Sequence, residues 1–108
     1  MKVGCDLVYI PKFIDSVLNG GECFFNKLFT PHELACTQTH ESLAGIFAAK
    51  EAFLKASGLK FNNWYDMEVY KLPSGKPMLR FMGEHSCGDI DVSISHDGDY
   101  AMAVVVIF

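Results

Sequence analysis

The chain has 108 residues, of which 50% are hydrophobic and 20% are charged, and its formal net charge is −4. This length suits one domain spanning residues 1–108, and the composition excludes global disorder. The chain has no basic stripe, which argues against a nucleic-acid partner, and no apolar run of the roughly 18 residues that a membrane helix needs. The start, MKVGCDLVYI, has the pattern of a strand and not of a signal peptide, so we expect a cytoplasmic protein.

The first half of the chain shows one strand followed by helical periodicity. Residues 3–10 alternate in the manner of a strand, and a short helix is expected from Pro11 to about Asn19, where NGG ends it. CFFNKLF then predicts a short helical turn. The sequence TPHE at 30–33 has the capping-box pattern and predicts a helix that runs to about Thr39. The longest helix is expected from about residue 41 to residue 57, with Gly58 as its C-terminal cap.

After Gly58 the periodicity changes to that of strands. Short strands are predicted at 67–72, 77–82 and 90–96, and the near-continuous apolar run at 100–108 predicts a central strand covered on both faces. We therefore expect an α+β fold in which a four-stranded antiparallel meander packs against the long helix.

The long helix carries three charges, Lys50, Glu51 and Lys55, in an otherwise apolar sequence, LAGIFAAKEAFLKASG. One of its faces is bulky and the opposite face is small, so the helix is predicted to be buried nearly all round. The small face consists of Gly45, Ala49, Ala52 and Ala56. Because buried charges cost several kcal/mol unless they are paired, the three charges predict polar partners, a ligand or a metal.

Asp6 also requires a polar partner, a ligand or a metal, because it lies in a first strand that is otherwise apolar apart from Lys2. If this strand packs beside the long helix, Asp6 and Glu51 converge. Two carboxylates with room for water suit Mg²⁺, which takes oxygen ligands and keeps water and substrate phosphate in its shell. Near the other end of the chain, SISHDGDY places His96 at a strand end beside a turn, where an imidazole can reach a phosphate.

The four cysteines do not have the spacing of a zinc site. The four cysteines form no C-x-x-C pair, and free thiols are expected. A metal pair of Cys36 and His40 on one helical face is the less favoured alternative.

Together these segments resemble the holo-(acyl-carrier-protein) synthase family, the small 4′-phosphopantetheinyl transferases. The resemblance spans nearly the whole chain and rests on GCDLVYI at the start, FAAKEAFLKASG in the long helix, GKP at 75–77 and VSISHDGDYAMAVVV near the end. The most specific part is the Lys-Glu-Ala of the long helix with a Lys four residues after the Glu.

The resemblance implies that the phosphopantetheine arm of coenzyme A moves to a serine of an apo acyl carrier protein, with release of 3′,5′-ADP. Asp6 and Glu51 would hold Mg²⁺, the catalytic roles would fall to Glu51 and Lys55, and Glu51 or a metal-bound water would be the general base. The residues implied to bind coenzyme A, or to support its site, are Lys50, Lys55, Gly75, Lys76, Pro77, Ser95 and His96. The family also forms trimers with coenzyme A in the cleft between subunits, so a homotrimer is expected.

The chain departs from the family pattern in two basic positions. Lys12 stands where the first helix of the family usually has Arg, and that helix, the expected docking site of the carrier, has few bases. Phe47 or Ile46 stands where an Arg often contacts phosphate. The alternatives are therefore a relative that binds coenzyme A or a carrier with weak or no transfer, and an unrelated metal-dependent phosphohydrolase that uses Asp6, Glu51 and His96.

Overall fold

The computed structural model describes residues 1–37, 39–60, 63–83 and 87–108. A first strand and three helices are followed by a short 3-10 helix and four further strands. The elements are β1 (Lys2–Tyr9), α1 (Ile10–Leu28), α2 (Pro31–Cys36), α3 (His40–Ser57), the 3-10 helix (Trp64–Asp66), β2 (Met67–Lys71), β3 (Pro77–Phe81), β4 (Ile90–Asp97) and β5 (Tyr100–Ile107).

The strands form two antiparallel sheets, one ordered β1-β5-β4 and the other a β2-β3 hairpin. The prediction of a central last strand is confirmed, since β5 pairs with both β1 and β4. The prediction of one four-stranded meander is wrong. Alternating periodicity identifies strands and their faces, but it does not say which neighbours share hydrogen bonds.

Helix α3 packs on the inner face of the larger sheet. The small-residue face of α3 lies directly against β1, where a Cβ added at Gly4 would overlap the carbonyl oxygen of Ala52 and come within 2.7 Å of the Ala56 nitrogen. The helix is buried on most sides, as predicted, and it ends at Gly58 in the left-handed conformation (φ 66°). The small face therefore serves contacts within the chain.

The outer face of the same sheet is apolar and open. On β1 the alternation puts Val3, Leu7 and Tyr9 outward, with Leu7 65% exposed. On β5 the outward residues include Tyr100 and Met102. The prediction that β5 is covered on both faces is thus wrong for a single chain, because only its inner face meets α3 and the core.

Helix α1 is interrupted at NGG, as predicted, because Gly21 has a non-helical backbone (φ 73°, ψ −171°) that separates two helical stretches. The second stretch contains the helical turn predicted for CFFNKLF and continues to Leu28, and it differs from the prediction only in that the two stretches follow each other directly. Glycine allows this kink because it adopts a positive φ without steric cost.

Helix α2 begins with the predicted capping box, since the Thr30 side chain accepts from the Glu33 nitrogen and the Glu33 side chain accepts from the Thr30 nitrogen. It ends at Cys36 and not near Thr39 as predicted. Gln38, within the predicted helix, lies outside the described residues.

Within the described ranges no helix combines the length and the apolar character needed to cross a bilayer.

Candidate functional site

Asp6 and Glu51 are brought to one cleft by the packing of β1 on α3. We call this cleft, of about 360 Å³, the acidic cleft. Asp6 is half-buried and its Oδ1 lies 2.9 Å from the Lys55 ammonium, which also donates to the Cys5 carbonyl at 3.0 Å. The predicted convergence of Asp6 and Glu51 is therefore present in the structure, and Lys55 lies beside Asp6.

The two carboxylates influence each other electrostatically. Burial, followed by the negative charge of Asp6, raises the pKa of Glu51, and the Lys55 charge opposes this only in part. The hydrogen bond and charge of Asp6 raise the pKa of Lys55. The site thus combines two carboxylates that repel each other with one ammonium that stays protonated at neutral pH.

This donor set fits Mg²⁺. Mg²⁺ in proteins is commonly held by one or two carboxylates, and water and substrate phosphate complete its shell. Asp6 and Glu51 supply two carboxylates beside a cleft with room for such ligands. In the described part of the chain no group of three or more His, Cys, Asp and Glu side chains is arranged for a metal ion, so the acidic pair is the candidate.

The acidic cleft has an apolar wall on the side of α1. This wall consists of Phe13, Phe24 and Leu28 of α1 together with Phe47 of α3. Phe13 and Phe47 pack with their ring centroids 5.0 Å apart. Lys12 lines the same cleft. A ligand with one charged and one apolar part would therefore meet matching surfaces here.

A second cleft, also of about 360 Å³, contains Gly75, Pro77 and His96 and is called the histidine cleft below. Gly75 has a φ of 90° in the turn between β2 and β3, and His96 is exposed near the end of β4. The histidine cleft and the acidic cleft have no described lining residue in common. A single chain therefore does not bring His96 together with Asp6 and Glu51, so the phosphohydrolase alternative has no geometric basis within one chain.

Two further predicted coenzyme A residues, Lys76 and Ser95, lie towards the outer side of the sheet. Lys76 forms an exposed ion pair with Asp91 at 2.9 Å. Ser95 pairs with Met102 in the β4–β5 ladder and is exposed. Both are accessible in the single chain.

Lys50 differs from the expectation of a residue that contacts coenzyme A. Its side chain is 0% exposed, and its Nζ lies 2.6 Å from Glu33 Oε1. Burial lowers the pKa of Lys50, although the charge of Glu33 and its hydrogen bond act in the opposite direction. Because the side chain has no access to either cleft, direct contact with a ligand is ruled out for it in this structure.

The sequence analysis missed a buried polar network around this lysine. Glu33 Oε2 accepts from the Val69 nitrogen at 2.8 Å, and the Thr30 hydroxyl donates to Glu68 at 2.7 Å. Burial alone would raise the pKa of Glu68, but hydrogen bonds from Thr30 and Arg80 and the Arg80 charge lower it overall. The sequence signal for this buried network is Lys50 itself, because a lysine on the bulky face of a buried helix requires an acidic partner.

The cysteines are free, as predicted. Cys36 Sγ lies 3.9 Å from His32 Nε2, so the imidazole beside this thiol belongs to His32 and the suggested Cys36–His40 metal pair is not the one formed.

Residues 2–105 match the family model of the 4′-phosphopantetheinyl transferase superfamily. The chain is 42% identical to the holo-[acyl-carrier-protein] synthase of Halothermothrix orenii, with 96% of this chain and 94% of that protein covered. It is also 42% identical to the synthase of the same name from Geobacter sulfurreducens, again with 96% and 94% covered.

Among solved structures, the fold matches the Helicobacter pylori holo-[acyl-carrier-protein] synthase in complex with coenzyme A. The TM-score is 0.89 at 30% identity, with 98% of this chain and 99% of that chain covered. The match over nearly all residues, on a fold that joins Asp6 and Glu51 in one cleft, leads to one conclusion: the chain belongs to the 4′-phosphopantetheinyl transferase superfamily and, within it, to the holo-[acyl-carrier-protein] synthases.

Proposed function

We propose that the chain transfers the 4′-phosphopantetheine arm of coenzyme A to a serine hydroxyl of an apo acyl carrier protein. In this reaction the serine oxygen forms a bond to the β-phosphorus of the pyrophosphate, the bond from that phosphorus to the bridging oxygen breaks, and 3′,5′-ADP leaves. The observation that carries the proposal is the convergence of Asp6 and Glu51 in the acidic cleft, with the Lys55 ammonium paired to Asp6.

Asp6 and Glu51 are the proposed ligands of Mg²⁺. When bound, the ion would neutralise charge on the pyrophosphate, which is the main demand of phosphoryl transfer. Lys55 is proposed to lie near the phosphates, and its raised pKa keeps the ammonium charged to stabilise negative charge on the leaving group. Glu51 is also a proposed general base for the serine proton, because its carboxylate lies in the same cleft.

Coenzyme A is proposed to bind between chains of a homotrimer, spanning the acidic cleft of one chain and the histidine cleft of the next. The separation of the two clefts within one chain supports this arrangement. Gly75, Lys76, Pro77, Ser95 and His96 are the proposed contacts from the second chain. The open apolar face of β1 and β5 supplies a surface that association would cover.

The proposal is tested by incubating the protein with coenzyme A, Mg²⁺ and a panel of apo carrier proteins and weighing the carriers by mass spectrometry. At least one carrier should gain the mass of one phosphopantetheine group. A chelator should abolish the transfer, and added Mg²⁺ should restore it. Failure to modify any carrier while coenzyme A still binds would favour the alternative of a binding relative without transfer activity.

Two substitutions test the acidic pair. Asp6→Asn and Glu51→Gln should each lower transfer by about 100-fold or more, because each removes an anionic ligand from the proposed Mg²⁺ site. Asp89→Asn, at an exposed position that lines neither cleft, is the matched control and should retain full activity. Full activity in either acidic-pair variant would remove that residue from the proposed site.

A further inference from the structure

Lys50 is buried and uses its donors entirely inside the protein. Its Nζ donates to the Leu28 carbonyl at 2.8 Å, to Glu33 at 2.6 Å and to the Trp64 carbonyl at 3.4 Å. An ammonium has three hydrogens to donate, and these three oxygens account for them. Lys50 therefore joins the C-terminal end of α1, helix α2 and the 3-10 helix to α3.

Two of these partners carry the apolar wall of the acidic cleft. The Leu28 side chain lines the cleft directly. The Trp64 ring packs on Phe47 with centroids 5.5 Å apart, and Phe47 in turn packs on Phe13. Both phenylalanines line the cleft. The carbonyls that Lys50 holds thus belong to residues that form or support this wall.

The next residue along α3 is Glu51, which lies in the same cleft. We propose that Lys50 is a positioning residue for transfer, which holds the apolar wall at a set distance from the Glu51 carboxylate through the Leu28 and Trp64 carbonyls. The inference rests on the proposed function, because the wall matters to catalysis only if a substrate lies between it and Glu51. Displacement of a bound substrate by about 1 Å can cost 100-fold in rate.

Stability alone does not explain the choice of lysine. A buried ion pair is commonly no more stabilising than apolar side chains of the same volume, and methionine would fill the space of the Lys50 stem. What methionine lacks is a donor for the two carbonyls. The ion pair with Glu33 is then the means by which a charged donor is kept in the core.

Three variants separate positioning from a merely structural role. Lys50→Met removes the donor. Glu33→Gln/Lys50→Met removes the donor and also the buried charge that Lys50→Met alone would leave unpaired. Glu68→Gln is the control, since Glu68 is a buried carboxylate of the same network whose partners are Thr30 and Arg80 and which lines neither cleft. Each variant is assayed well below its unfolding temperature.

The readouts are kcat/KM for transfer and the emission of Trp64, which is the sole tryptophan of the chain. We expect both variants that lack Lys50 to lose at least about 10-fold in kcat/KM and to show a red-shifted Trp64 emission. The Glu68→Gln variant should lose stability while its kcat/KM stays within about twofold of the wild type. The double variant should recover stability without recovering activity.

The inference is overturned if the double variant is as active as the wild type or if Trp64 emission is unchanged in both Lys50 variants. It is also overturned if the Glu68→Gln variant loses activity to the same extent, because the loss would then follow stability alone. A wild-type chain that transfers nothing would contradict the proposed function instead. In that case the Trp64 emission of the Lys50 variants still shows whether Lys50 holds the apolar wall in place.

Discussion

At the scale of single residues, the charge on Glu51 is unfavourable for folding in the metal-free protein. Burial and the neighbouring Asp6 raise its pKa, so the folded state binds the Glu51 proton more tightly than the unfolded state does. A raised carboxyl pKa favours the folded state at low pH, and this advantage is lost as the pH rises through the folded-state pKa. Above that pH the ionised Glu51 destabilises the metal-free fold.

Glu51→Gln should therefore raise the free energy of unfolding of the metal-free protein at neutral pH. The gain should shrink as the pH falls through the folded-state pKa and should vanish below the unfolded-state value of about 4.3. Urea unfolding in the presence of a chelator between pH 4 and pH 8 measures it. A gain that does not depend on pH would mean that the raised pKa has no part in it.

The sequence predicts the position of a site residue correctly when it also predicts the strand or helix that carries the residue. Asp6 and Glu51 share a cleft because a strand and a helix that were both predicted pack together. The sequence implies a ligand-site role for Lys50, because its partner Glu33 lies on a short helix whose direction no local pattern determines. Periodicity assigns a residue to a face, but it does not say what lies opposite.

At the scale of elements, helix α1, the proposed docking site of the carrier protein, offers mainly apolar contact. Phe13 and Val17 are buried against the core, Ile14 is half-buried, and Leu18 is 71% exposed. The bases of this helix are Lys12, beside the acidic cleft, and Lys27 in its last turn. Of the four apolar candidates on the helix, Leu18 is the one most available to a partner.

Leu18→Ser should therefore raise the Michaelis constant for the carrier more than Lys12→Ala does. That constant should also change little between low and moderate salt, because few exposed charges are available to be screened. Steady-state kinetics at several salt concentrations measure both effects. A steep rise with salt would instead indicate a basic surface assembled from more than one chain.

Elements were predictable where a local signal sets their ends. The Thr30 capping box and the Gly58 cap were placed correctly because each is a short-range hydrogen-bond or backbone pattern. The break at NGG was also predictable, since Gly21 is the non-helical residue between the two helical stretches of α1. The split of the strands into two sheets was not predictable, because strand pairing depends on long-range packing and not on the local sequence.

At the scale of the whole molecule, the outer face of β1 and β5 predicts self-association. Contiguous apolar surface of this kind is uncommon on monomers. The wild type should therefore have a mass near three times 12.0 kDa by light scattering at micromolar concentration. A mass near 12.0 kDa would contradict the trimer.

Met102→Glu tests whether this face forms the contact, because association through the face would then bury a charge among apolar side chains. Met102 is 42% exposed on β5, and the variant should shift the mass toward that of one chain. Leu72→Glu is the matched control, since Leu72 is similarly exposed (39%) beyond the end of β2. Equal dissociation by both variants would place the contact elsewhere.

The contact between Gly4 and the backbone of α3 has a consequence for how this protein can diverge. The main chains of β1 and α3 touch there, so the spacing of the segments that carry Asp6 and Glu51 depends on the backbone and not on the size of any core side chain. Substitutions that repack the rest of the core can accumulate without separating the two carboxylates. Position 4, which bears no functional group, is then among the least replaceable in the chain.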